Sequence, residues 1–159
     1  LITQERLREL AHYCPKTGQF THLQSKGSKK TGMSAGTLRQ DGYVYIMFGG
    51  MRAFAHRFAW LYMTGEWPTQ EIDHIDGNKA NNAFANLRQV SRQANTENKR
   101  QAKRTSTTGL LGVIKHRNRF VAAITHSGQR TYLGVFETAE AAHAAYLKAK
   151  RKLHAGCTI

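Results

Sequence analysis

The chain has 159 residues and a net charge of +14, with 40% apolar and 9% aromatic content. That apolar share excludes a disordered polymer, and the length suffices for one hydrophobic core or two small ones. No apolar run approaches the ~20 residues of a membrane span, and Cys14 and Cys157 stand alone at opposite ends, which excludes a cysteine zinc framework and a disulfide scaffold.

The charge is unevenly placed. Residues 1–98 hold twelve Lys/Arg and eight Asp/Glu, whereas residues 99–159 hold twelve and two. An acid-bearing first module and a strongly basic second one imply two different jobs. An excess of this size marks a polyanionic partner. Nucleic acid comes before a membrane surface, which would need an amphipathic basic helix. No N-terminal stretch has the pattern of a secretory signal, and isolated cysteines suit a reducing compartment, so the expected location is cytoplasmic.

In chain order, Thr3 caps a predicted helix at about 4–12, with Leu7, Leu10 and Ala11 on one side. Cys14-Pro15-Lys16-Thr17-Gly18 reads as a turn into a strand at 19–23, and residues 25–32 as a basic loop. Asp41-Gly42 and Gly49-Gly50 bracket a strand at 43–48 with hairpin turns on both sides. From 54 to 64 the period becomes helical through Phe54, Phe58, Leu61 and Tyr62, and Gly65 and Pro68 end the segment. Strands are expected at 71–75 and 87–90 around a polar loop at 76–82, followed by a helix at 92–102 capped by Ser91.

A basic stretch, Lys99-Arg100-Gln101-Ala102-Lys103-Arg104, leads into the linker candidate 105–109. Alternating segments follow near 111–117, 119–126 and 130–136, with Ser127-Gly128 as a turn. Thr138 caps a helix at 139–155 that ends at Gly156. Alternation assigns Phe120, Ala122, Ile124, Leu133 and Val135 to the helix-facing side of this sheet. Arg119, Val121, Ala123, Thr125, Arg130, Tyr132 and Gly134 fall on the other side, which has the character of a sheet that reads a DNA groove.

The chemistry concentrates in Asp73-His74-Ile75-Asp76-Gly77-Asn78, followed by Asn86-Leu87 and Asn95. Asp73 and Asn95 can hold one hard divalent cation through oxygen. His74 can take a proton from water, and Asn86 can fix its ring. Together these groups suffice to hydrolyse a phosphodiester. Asp76, Asn78, Asn81, Asn82 and Asn98 take supporting roles, and Asp76-Gly77-Asn78 also fits plain turn chemistry. An EF-hand counted from Asp76 would need Glu at its twelfth position, where Leu87 stands. A zinc site would need cysteines or clustered histidines, which this segment lacks.

These residues resemble the HNH endonuclease family, whose active site is a ββα-metal unit. The matched positions are Asp73-His74, Asn86-Leu87 and Asn95, over roughly 52–98. His56-Arg57, ahead of the helix, is similar to the segment upstream of that site in phage-type homing enzymes. The resemblance implies His74 as general base, Asn86 as its orienting partner, and Asp73 and Asn95 as ligands of one divalent ion, Mg²⁺ first and Mn²⁺ as the alternative. It also implies 5′-phosphate and 3′-hydroxyl ends, in a bacterial or phage-infected host. The C-terminal part resembles the Apetala/ethylene-response-factor DNA-binding domain through Gly112-Val113, residues 120–124 and 132–136, and Thr138-Ala139-Glu140-Ala141-Ala142. Ile114 and Ala123 depart from that pattern, so sequence preference does not transfer. His116, Arg119, Arg130 and Tyr132 are the expected DNA contacts, with Arg117 on phosphate.

The expected architecture is α+β: an HNH nuclease module at 1–104, a linker at 105–109, and a three-stranded antiparallel sheet packed on one helix at 110–159. The expected function is metal-dependent cleavage of double-stranded DNA, without membrane association. A monomer would nick one strand and a homodimer would cut both. The alternative is a non-catalytic DNA-binding regulator with a structural HNH unit.

Overall fold

The computed structural model describes residues 1–25, 27–99, 101–154 and 157. Lys26 of the basic loop, Arg100 of the basic stretch and Gly156 as helix stop lie outside the described residues. The chain packs as two units, 1–90 and 91–159. The sequence expectation put the boundary at 105–109. Relative to the division at 98/99 used for the charge count, only Arg92 and Glu97 change sides, so that contrast is unchanged. Among the described residues no helix is long and apolar enough to cross a membrane.

The first unit is built from small antiparallel sheets around one aromatic core. Helix α1 (Gln4–Leu10) starts where the Thr3 hydroxyl accepts from the Arg6 amide. It stops earlier than its periodicity predicts, because Ala11–Cys14 forms strand β1 against β2 (Gln19–His22), pairing Tyr13 with Phe20. Tyr13 and Phe20 are almost wholly buried, with ring centroids 4.7 Å apart. That tertiary contact outweighs local helix propensity. Strand β3 (Ser34–Ala35) completes this sheet.

A second sheet joins β4 (Thr37–Leu38), β5 (Val44–Phe48) and β6 (Met51–Phe54). The Gly49-Gly50 turn makes the expected hairpin, and its second arm claims Phe54. Helix α2 (Ala55–Thr64) therefore begins one residue late and closes at Gly65, whose amide bonds the Leu61 carbonyl at 2.9 Å. His56 thus lies inside the first turn of α2 rather than ahead of it. Ala55, His56, Phe58, Ala59 and Leu61 form its buried face. Strands β7 (Glu71–His74) and β8 (Leu87–Val90) form a separate two-stranded ladder, with a single 3₁₀ turn, Phe84–Asn86, before β8.

The second unit opens with a short helix α3 (Arg92–Glu97), capped by Ser91 and ending before the predicted residue 102. A three-stranded antiparallel sheet follows, ordered β11-β10-β9, from β9 (Val113–His116), β10 (Arg119–His126) and β11 (Gln129–Phe136). Ser127 and Gly128 both take positive φ, which suits the twist of a two-residue hairpin. Helix α4 (Ala139–Leu153) is capped by Thr138, carries Glu140 in its first turn, and has Lys150, Arg151 and Lys152 in its last. Both ends complement the helix dipole.

Strict alternation fails at one point. The pairing shifts between Ala122↔Gly134 and Ala123↔Tyr132, so Leu133 is the extra residue of a bulge. Beyond it the faces exchange. Gly134 and Phe136 fall on the core side with Ala122 and Phe120, and Val135 turns outward, 47% exposed. The expectation that Val135 faces the helix is therefore corrected: Phe136 fills that place.

Candidate active site

Strand β7 ends at His74. The chain turns there, with the Gly77 amide bonding the His74 carbonyl at 2.8 Å. The loop that follows is held by its own side chains. Asp76 is the hub: its Oδ1 accepts from the Asn78 amide at 2.8 Å and from Asn86 Nδ2 at 2.9 Å. Its Oδ2 accepts from Asn81 Nδ2 at 2.7 Å, and its own amide donates to Asn86 Oδ1 at 2.9 Å. Burial pushes the Asp76 carboxyl up, but these hydrogen bonds outweigh burial and hold it below the usual range.

His74 sits at the base of this loop, 5% exposed. Its Nε2 lies 3.2 Å from Asn82 Oδ1. The Asn82 amide has only one orientation available, because its Nδ2 donates to the Ala80 carbonyl at 3.0 Å. Oδ1 therefore faces the ring as an acceptor, Nε2 carries the proton, and the lone pair belongs to Nδ1. Asn82 is itself 2% exposed and pinned from behind. The Tyr13 hydroxyl donates to its carbonyl at 2.7 Å. Gly18, at φ +74°, approaches so closely that a Cβ there would stand 2.1 Å from the Asn82 carbonyl carbon.

Aromatic rings close the other sides. The His56 ring meets His74 nearly edge-on at 5.1 Å, and Tyr43 lies 6.1 Å away. Lys79 Nζ stands 4.6 Å above the Tyr43 ring. Burial lowers the His74 pKa, against the Asn82 hydrogen bond and the Asp76 and Asp73 charges. The ring is thereby biased towards its neutral form, the form that accepts a proton. His56 is pushed down further, to about 3, by burial and then by His74 and Arg57.

The predicted residues stand in different surroundings. Asn86 does not reach the His74 ring. Both ends of its amide are committed to Asp76, and its Nδ2 also donates to the Asn81 carbonyl at 2.8 Å. Its role in the structure is to fasten the loop, and the amide at the ring is Asn82. Asp73 faces Arg88 across the ladder, and Arg88 Nε and Nη2 both donate to Asp73 Oδ2, at 3.0 and 2.8 Å. Asn95 stands half-buried on α3 in the second unit. His116, Arg117, Arg119, Arg130 and Tyr132 are all exposed along β9–β11 and the turn after β9. Asn82 was legible only as one of the six asparagines between residues 78 and 98. The one hint of its burial is that Ala83-Phe84 follows it directly.

Residues 53–97 match the family model described as HNH endonuclease. None of the curated proteins matches. A solved structure described as "DNA binding and cleavage by the HNH homing endonuclease I-HmuI" is 31% identical, with a TM-score of 0.43. The match covers 55% of this chain and 50% of that one, so the chain spans half of that protein's length. The segment similar to HNH endonucleases is thus the one that contains the buried His74, the Asp76 loop and Asn86.

Proposed function

We propose that the chain is a metal-dependent DNA endonuclease in which His74 is the general base. The observation that carries this reading is the His74–Asn82 pair, within a segment that matches the HNH endonuclease model. Asn82 fixes the tautomer, and burial keeps the ring neutral. Nδ1 then takes the proton from a water as its oxygen forms a bond to phosphorus and the P–O3′ bond breaks in line. Asn86 and Asp76 keep the loop in shape around the base.

The hard oxygens assigned to the cation, the Asp73 carboxylate and the Asn95 amide, suit Mg²⁺ or Mn²⁺ rather than a thiophilic metal. When bound, such an ion neutralises charge on the scissile phosphate and steadies the departing oxygen. Arg88 Nη2 lies 2.8 Å from Asp73 Oδ2, so a cation there would share this carboxylate with the guanidinium. In the second unit, the exposed His116, Arg117, Arg119, Arg130 and Tyr132 form the duplex-binding face, in the manner of the Apetala-type sheet they resemble. The protein works as a monomer or a homodimer in the cytoplasm.

A supercoiled plasmid tests this. Wild type with Mg²⁺ yields relaxed or linear product, EDTA stops the reaction, and His74→Ala loses about 10²–10⁴-fold in rate while still binding DNA. A fully active His74→Ala protein would sink the mechanism. One observation favours a second reading, a non-catalytic DNA-binding regulator: a cation, Arg88, already occupies Asp73 Oδ2. Binding without cleavage across Mg²⁺ and Mn²⁺ would decide for it.

A further inference from the structure

We infer that Glu97, His126 and His154 form a second metal site, for a divalent transition-metal ion of the zinc type. It is separate from the cation assigned to Asp73 and Asn95. All three residues belong to the second unit, and each ends an element: Glu97 closes α3, His126 closes β10, and His154 follows α4. Their ligand atoms lie within 4.8 Å of one another. Two imidazoles and one carboxylate make a recurrent zinc donor set, with room for a water as fourth ligand.

The local chemistry asks for a cation. His126 Nδ1 is buried and makes no hydrogen bond among the described residues, although it lies 3.3 Å from Glu97 Oε1. Zinc bonds of about 2.0–2.2 Å at tetrahedral angles put neighbouring donors about 3.3–3.6 Å apart, so this pair already has ligand spacing. His154 has the complementary feature. Its Nδ1 is 3.2 Å from the Glu97 carbonyl and its Nε2 is 3.1 Å from the Thr125 carbonyl. A neutral imidazole can donate only one of these bonds, which leaves the other nitrogen's lone pair facing an oxygen. Metal ligation through that nitrogen requires the carbonyl it faces to move aside, and it leaves the remaining N–H on a backbone carbonyl, the usual outer-shell partner of a ligating histidine.

The surroundings support the same assignment. The His126 and His154 rings lie 5.7 Å apart. Gln93 Nε2 at 3.1 Å and the Ser127 amide at 3.4 Å both bond Glu97 Oε1 and orient the carboxylate. Glu97 and His154 also line a cleft of about 620 Å³, which gives an ion a route in. An ion here would tie the ends of three elements together in a unit whose buried apolar cluster is small.

The test is equilibrium dialysis of the full chain against Zn²⁺, comparing wild type with Asp73→Ala, His126→Ala and Glu97→Gln. Co²⁺ substitution serves as the spectroscopic probe. Wild type and Asp73→Ala should retain this Zn²⁺, whereas His126→Ala and Glu97→Gln should bind it at least ~10-fold more weakly. The Co²⁺ derivative should show the strong visible bands of a four-coordinate ion, lost in His126→Ala. Three results would overturn the inference. Wild type could take up no Zn²⁺. His126→Ala could bind Zn²⁺ with unchanged affinity and spectrum. Or Zn²⁺ could be lost from Asp73→Ala alone, which would put the ion at the other site.

Discussion

The two units solve the problem of a folded interior in opposite ways. The first is built on large buried rings, Tyr13, Phe20, Phe48 and Phe58, packed at centroid distances between 4.7 and 6.4 Å. The second buries Val113, Ala122, Ile124, Ala142 and Tyr146, with partly buried neighbours such as Phe120, Leu133 and Phe136. Small side chains let α4 lie close to the sheet, but they remove little apolar area from water. The second unit compensates with polar clamps. Lys150, fully buried, donates to the Lys99 carbonyl, and His154 stands between two carbonyls. A rigid aromatic interior can hold a neutral histidine at a lowered pKa. A thin interior under a basic surface suits a part that binds rather than reacts.

The contrast breaks most visibly in the aromatic core. Phe58 is fully buried and meets Phe20, Phe48 and Trp67. Phe58→Ala should cost about 3–5 kcal/mol. Both tryptophans, Trp60 and Trp67, lie in the first unit, so a urea titration followed by tryptophan fluorescence reads that unit directly. A loss under 1 kcal/mol would mean that the core is not where the stability resides.

Acid provides the next test. His56 has a folded pKa of about 3, well below its unfolded value near 6.5. Between those values the unfolded chain binds a proton that the folded chain refuses. Stability is therefore fully present above about pH 6.5 and falls by about 1.4 kcal/mol per pH unit as pH drops towards 3. His74 and His22, also lowered by burial, act in the same direction. His56→Phe, stacked on Phe54 as the imidazole is, should remove the His56 share of the slope. Parallel urea midpoints at pH 7 and pH 5 measure it, and a constant gap between the proteins would refute the assignment.

At the site itself the effect is smaller and more specific. Asn82→Leu keeps the bulk but removes the acceptor of the Nε2 proton. A rate loss of ~10–100-fold is expected, less than for His74→Ala because the base remains present but is no longer held in one tautomer. Asn82→Asp should recover rate and move the acid limb of the pH–rate profile upward, since a carboxylate raises the pKa of the ring. Loss of rate in both variants with unchanged profiles would reduce Asn82 to a packing role.

The elements that could be read from sequence are those whose signals are local. The Phe58–Leu61 periodicity marks α2, Gly49-Gly50 marks the hairpin, Ser91 and Thr138 mark caps, and Ser127-Gly128 marks the β10–β11 turn. The elements that could not be read depend on distant partners. Strand β1 exists because Tyr13 pairs with Phe20, and the bulge at Leu133 because Phe136 must reach the core beside Phe120. The site divides in the same way. Spacing singles out His74, but the amide that holds its ring is selected by Gly18 and Tyr13, which lie far away in sequence. Spacing alone favoured Asn86, whose side chain is consumed by Asp76. The Glu97, His126 and His154 cluster is likewise invisible until three element ends meet.

The smallest effect bears on the charge contrast. Exposed Arg130 lies on the basic unit, and exposed Arg6 on the first unit is ion-paired with Glu9. If duplex binding resides on the β9–β11 face, Arg130→Ala weakens binding only a few-fold. It also reduces the slope of log K against log salt by about 0.9, the loss of one phosphate contact. Arg6→Ala should leave that slope unchanged, because its charge is already neutralised by Glu9. Tyr132→Ala, 60% exposed on the same face, removes no charge and should lower affinity at constant slope. Equal slopes for wild type and Arg130→Ala would move the DNA contacts off this sheet. A slope change with Arg6→Ala would instead show the first unit sharing the electrostatic work.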